Sequence, residues 1–238
     1  MNRTTSLAAI AVMLLGSAAV FAGEAAPPQG AMSFFVTSAT PTGTGNLGGL
    51  AGADQICQNL AASVGAGNKT WHAYLSAQAR PGVAQVNARG RIGSGPWFNQ
   101  KGLMIAGGVA DLHGDQQRDR NGIRQASVLD EKGQIVSPMP QQHDVMTGSD
   151  STGRAFTDGI DHTCNNWTSD AMTTPPTPAQ AADGVPPDRV RAMLGHSDRG
   201  LNGAGNTSWN SAHMSQGCSK QALINTGGSG RLYCFAIN

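Results

Sequence analysis

Arg231-Leu232-Tyr233-Cys234-Phe235-Ala236-Ile237 stands one residue short of the end of the 238-residue chain. Its run of aromatic and aliphatic side chains reads as a strand. A cysteine sits at its centre, so any residue bonded to Cys234 is fastened to this strand. Towards the N-terminus, Asp54 to Val64 reads as a helix. Ile56, Leu60 and Val64 recur at four-residue spacing, and Cys57 lies beside them on the same apolar stripe. Gly65 or Gly67 stops it. Met32-Ser33-Phe34-Phe35-Val36-Thr37 reads as a second strand, and Trp71-His72-Ala73-Tyr74-Leu75-Ser76 alternates as a third. The two clearest strands lie near opposite ends of the chain. A bridge from the helix cysteine to the last strand would close a fold whose ends are adjacent.

Between these elements the signal weakens. From Gln78 to Asp130, Gly, Arg, Asn and Asp surround short apolar islands at Leu103 to Ile105 and Ala126 to Leu129, which predicts irregular loops and small strands. Thr173 to Pro178 and Gly184 to Pro187 flank an Ala-rich piece and read as an inserted surface excursion. Neither a repeat nor a linker divides residues 32–238, which reads as one domain after a flexible leader at 23–31. Charged residues make up only 13% of the chain, half the usual ~25%. With 32 Gly and 12 Pro this describes a loop-rich body. The glycines lack a G-X-Y period, which excludes collagen, and no window sustains the a/d repeat of a coiled coil.

Arg3, the apolar run Leu7 to Leu15, the Gly16-Ser17 break and Val20-Phe21-Ala22 match a secretory signal peptide over residues 1–22. The apolar run is about half the ~20 residues of a membrane span, and none is expected later. Cleavage removes Arg3 and no acid, so 16 basic residues become 15 against 15 acidic ones. A neutral chain argues against nucleic acid as a partner. The expected location is secreted or periplasmic. In such an oxidising compartment Cys57, Cys164, Cys218 and Cys234 favour two disulfides, with three pairings open.

Several segments together resemble a known family. Gly52-Ala53-Asp54 precedes Cys57, and Trp71 to Ser76 follows. Then come Gly148-Ser149-Asp150-Ser151-Thr152-Gly153-Arg154, Cys164-Asn165-Asn166-Trp167, Cys218, and Leu232-Tyr233-Cys234 with Asn238. This order resembles the endostatin domain of collagens, a member of the C-type lectin-like fold, and secreted bacterial proteins carrying it. The resemblance implies an α+β domain of twisted antiparallel strands with a packed helix, long loops and two disulfides. It implies the pairing Cys57–Cys234 and Cys164–Cys218.

Metal sites of the family do not carry over. The endostatin zinc site needs a histidine near the mature N-terminus, whereas the first histidine here is His72. The lectin calcium triplets are lost, because Trp209-Asn210-Ser211 lacks the aspartate and Pro186-Pro187-Asp188 follows Cys164 instead of preceding it. Asp111, Asp115, Asp119 and Asn121 could form a different calcium site, although such turns commonly satisfy their own backbone. Gly148 to Ala155 approximates a phosphate loop but has Arg and Ala where Lys and a hydroxyl are needed, so a structured Gly/Asp turn is expected. His196-Ser197-Asp198 places triad residue types side by side, where they point apart, and reads as a polar loop. The six histidines show no H-x-x-x-H spacing. No metal and no cofactor is expected. Arg80, Arg89 and Arg91 form a loose basic group read as solvated.

The expected function is non-enzymatic binding of a glycan, matrix component or cell-surface protein. The alternatives are an architectural or adhesive role without a small ligand, and a hydrolase using loop Asp and His. Trp71 and Trp167 read as core. The expected binding surface is the loop 196–213, with His196, Asp198, Arg199, Asn202, Asn206, Trp209, Asn210 and His213, Trp209 supplying a stacking face and Trp97 the reserve. Core packing competes for both rings. Peptide mapping of exported protein under non-reducing conditions should find an N-terminus near Gly23 and peptides Cys57–Cys234 and Cys164–Cys218. An uncleaved N-terminus or another pairing would count against the reading.

Overall fold

The computed structural model describes residues 29–114, 121–136, 142–172, 190–198 and 208–237. The expected signal peptide, leader residues 23–28 and the Pro-rich excursion lie outside them. So do Asp115, Asp119, Arg199, Asn202 and Asn206.

The domain is mixed α and β, and its elements are short. In chain order they are β1 (Phe34–Val36), α1 (Gly49–Ser63), β2 (Trp71–Ala73), a 3₁₀ turn (Ala88–Gly90), β3 (Trp97–Phe98), β4 (Met104–Ala106) and α2 (Val109–His113). There follow β5 (Asp144–Met146), α3 (Cys164–Trp167), β6 (Met193–His196), β7 (His213–Met214), α4 (Lys220–Asn225) and β8 (Gly228–Ala236). The last strand is the long one, and the main sheet is assembled on it. β1 pairs antiparallel along one edge, Phe35 opposite Cys234. β2 pairs antiparallel along the other, Ala73 opposite Cys234. Beyond β2, β5 runs parallel to the first half of β8, and β6 and β7 continue the sheet antiparallel. The expectation of antiparallel strands is corrected by this parallel pair. A parallel neighbour needs a long return connection, and here it passes through β6, β7 and α4.

Both faces of β8 are covered. Leu232, Cys234 and Ala236 face a core with Phe35, Cys57, Trp71, Leu75 and Trp167. Tyr233 and Phe235 face a second core with Phe34, Tyr74, Trp97 and Trp209. Phe235 meets Phe34 and Trp97 edge-on at centroid distances of 4.9 and 5.1 Å. The alternation along one strand therefore feeds two hydrophobic layers. Trp71 and Trp167 are core residues as expected.

The disulfides Cys57–Cys234 and Cys164–Cys218 have Cα separations of 5.6 and 5.7 Å, and the described residues contain no free cysteine. The first ties α1 to β8 across 177 residues of sequence. α1 begins at Gly49, five residues before the predicted start. The Asp54 carboxylate accepts from Ala73 N (2.8 Å) and pairs with Arg91 (2.6 Å), fastening the helix to β2. The leader is not wholly loose either, since Gly30 N donates to Gly102 O at 3.1 Å.

α3 is a left-handed turn. All four residues have positive φ, with Asn165 at φ 57°, ψ 50° and Asn166 at φ 53°, ψ 43°. L-residues avoid this conformation, and Asn tolerates it best after Gly. It is held by the Asn166 side chain, which accepts from Gln78 N (2.8 Å) and donates to Gln78 O (2.9 Å). Trp167 Nε1 donates to Ser76 O at 2.8 Å. Between Cys164 and Cys218 the described residues include β6 and β7.

Chemical denaturation should find Asn165→Gly tolerated and Asn165→Val destabilising by about 1–2 kcal/mol. The double variant Cys164→Ala/Cys218→Ala should lose up to about 4 kcal/mol.

Candidate functional site

Register brings the site together. Asp144 opens β5 directly opposite His196 at the end of β6. Leu194, two residues from His196 and on the same face, lies opposite His213 at the start of β7. Asp144, His196 and His213 therefore share one face of the sheet. His143 precedes β5 and stacks on His196, with centroids 4.4 Å apart and planes at 12°.

The nitrogens converge on one oxygen. Asp144 Oδ1 lies 3.3 Å from His143 Nε2, 3.4 Å from His196 Nε2 and 3.6 Å from His213 Nε2. The Asp144 side chain is fully buried, whereas His213 is 39% exposed and marks the open side. Among the described residues, neither Asp144 oxygen nor His196 Nε2 has a hydrogen-bond partner. Such a carboxylate is costly to bury. Glycine keeps the space clear, as a Cβ on Gly227 would lie 3.3 Å from His143 Nε2 and 3.6 Å from Asp144 Oδ2. At Gly195 a Cβ would collide with the Trp209 carbonyl, so only glycine lets this segment lie against β6.

Neighbours fix the rings. His143 Nδ1 lies 2.8 Å from Asp198 Oδ1 and His213 Nδ1 lies 3.2 Å from Met214 O. A carboxylate and a carbonyl only accept, so each Nδ1 carries a proton, and Nε2 is the ring atom turned towards Asp144. The carboxylate beside His213 holds its imidazole above the ordinary range, against desolvation. Burial pushes His196 below that range, with Asp144 opposing. Three histidines and a carboxylate are donors suited to a transition-metal ion.

The residues expected at the binding surface divide. His196, Asp198 and His213 enter this cluster. The polar-loop reading of His196 to Asp198 missed that both flank His143, one stacked on its ring and one bonded to it. Trp209 and Trp97 are each only 1% exposed, so the expected stacking faces are closed. Trp209 packs on Tyr74 at 4.7 Å, and Trp97 Nε1 donates to Ala236 O at 3.2 Å. Asn210 is interior too, donating to the Tyr74 hydroxyl at 3.0 Å. That hydroxyl meets His113 Nε2 at 2.7 Å, and burial raises the phenol's pKa far above its usual value. Asn121 is not a free calcium ligand, because its side chain donates to Leu112 O and accepts from Ile123 N. His143 and Asp144 escaped sequence reading. Their only signal was adjacency, and their partners lie about 50 and 70 residues away.

The other near-motifs are structural. Asp150 Oδ1 accepts from Thr152 N, Thr152 Oγ1 and Arg154 N at 2.8, 2.8 and 2.9 Å, forming the expected Asp turn. Arg80 pairs with Asp161, Arg91 with Asp54, and Arg89 donates to Thr152 O, so the arginines do not form a free basic patch. Among the described residues no helix is long and apolar enough to cross a membrane.

Compared with known proteins, the chain matches no family model and no curated protein.

Trp209→Ala should cost about 3–5 kcal/mol in denaturant unfolding, the usual range for emptying a buried aromatic site. A near-wild-type stability would return the ring to the surface.

Proposed function

We propose that the protein is an exported, endostatin-like domain of the C-type lectin-like fold that binds a glycan, matrix component or cell-surface protein and does not turn it over. The observation that carries this reading is the pairing of β1 with β8 near the two ends of the domain, braced by Cys57–Cys234, while Cys164–Cys218 pins the segment that carries β6 and β7. Such a scaffold holds its ends together and displays loops whose side chains can vary without disturbing the core. With both tryptophans interior, the recognition surface moves to the histidine-rich end of β5, β6 and β7, where His213 is half-exposed and His196 and Asp198 lie behind it. Two disulfides and a charge-balanced composition suit an extracellular or periplasmic setting.

The convergence of His143, His196, His213 and Asp144 favours one second reading, a hydrolase, because imidazole and carboxylate groups within reach of one another can transfer protons. A glycan and matrix-protein array probed with the mature protein, beside a panel of ester, glycoside and peptide substrates, separates the two. Retention on one array class, weak salt dependence and no turnover are expected. His213→Ala should lower affinity by roughly tenfold or more if this end makes the contact. Turnover of any substrate, lost in His196→Ala, would replace binding by catalysis.

A further inference from the structure

We propose that His143, Asp144 and His196 hold a divalent transition-metal ion of the zinc class, with His213 completing a tetrahedral set at the open side. This site does not depend on the lectin-like reading. One ligand atom from each of His143, Asp144 and His196 lies within 4.8 Å of the others. The separations of the three Nε2 atoms from Asp144 Oδ1, 3.3, 3.4 and 3.6 Å, are at the outer limit of hydrogen bonding. The His143 and His196 separations match two donor–donor edges of a tetrahedron around zinc, and His213 lies outside the group of mutually close ligand atoms. Zinc–nitrogen distances of about 2.0–2.1 Å and zinc–oxygen distances of about 2.0–2.2 Å give edges of roughly 3.3–3.5 Å.

The buried groups carry the case further. Among the described residues, both oxygens of the fully buried Asp144 carboxylate lack a hydrogen-bond partner, as does His196 Nε2. A cation held between these atoms would neutralise the buried carboxylate and take up the Nε2 face of each ring. The outer contacts are those of a metal site. Asp198 accepts from His143 Nδ1 and the Met214 carbonyl from His213 Nδ1, fixing ring orientation with Nε2 towards Asp144. Three imidazoles and one carboxylate exclude calcium and magnesium, which need oxygen donors. A tetrahedral set of such donors favours zinc among the first-row ions.

The test uses mature protein stripped with a chelator and titrated with Zn²⁺, reading stoichiometry, affinity and thermal midpoint. One ion per chain should bind, and the midpoint should rise by several degrees. Ca²⁺ and Mg²⁺ should leave it unchanged, and Co²⁺ should give the visible spectrum of a four-coordinate ion. Asp144→Asn and His196→Ala should each abolish the zinc-induced rise. Asp144→Asn removes a buried unpaired charge, so its metal-free midpoint should equal or exceed that of the wild type. Loss of binding is then not loss of fold. Asp198→Asn, which leaves the ligands in place, should weaken zinc binding by about 10–100-fold. Should another variant fail to fold, this ratio still decides. Absence of saturable one-ion binding, zinc binding unaltered by these substitutions, or a midpoint that responds to calcium and not to zinc would overturn the site. In those cases protonated histidines, and not a metal ion, neutralise Asp144.

Discussion

Burial of β8 on both faces is the constraint on which the rest of the structure rests. A nine-residue strand supplies Leu232, Cys234 and Ala236 to one hydrophobic layer and Tyr233 and Phe235 to the other. Every other strand of the main sheet is two to four residues long and could not persist alone. β1, β2 and β5 gain their hydrogen-bond partners from β8 directly, and β6 and β7 gain theirs through β5. Cys57–Cys234 attaches the longest helix to the same strand. Most of the aromatic residues, a small supply at 5% of the chain, pack in the two layers around this element. That concentration explains why all four tryptophans are interior.

The histidine cluster is a consequence of that sheet. β5 pairs with β8 in parallel, which directs its first residue, Asp144, to the end of the sheet where β6 finishes and β7 begins. Register then sets His196 opposite Asp144 and His213 diagonally beyond it. Gly195 and Gly227 are the small residues that let backbone and rings close around the carboxylate. The core layer beneath, with Met146 and Leu194 on the same face, shields Asp144 from water. The burial that makes its charge costly also makes it a strong anchor for a cation.

Much of the frame was legible in the sequence. The terminal strand, the Phe34-Phe35-Val36 strand, the Cys57 helix and the Trp71 strand announce themselves because their side-chain periodicity depends on local geometry alone. The Asp turn at Asp150 was legible for the same reason, as its hydrogen bonds span at most four residues. The pairing of the cysteines followed from resemblance and agrees with the structure. β5 and β6 were not legible, because His143-Asp144 and Gly195-His196 interrupt the apolar runs that mark the Phe34 and Trp71 strands.

Trp209 and Asn210 show the limit from the other side. Their Gly- and Asn-rich surroundings look like an exposed loop, yet Trp209 fills the second core and Asn210 completes the hydrogen bonding of the Tyr74 hydroxyl. The sequence by itself determined the strands at Phe34, Trp71 and Cys234, the Cys57 helix, which cysteines are available and that the chain is charge-balanced, since these are properties of neighbouring residues. Only the tertiary structure decided that His143, Asp144, His196 and His213 share one site and that the tryptophans do not. A site of this kind is set by sheet register between segments some 50 to 70 residues apart, and register is fixed by packing against β8.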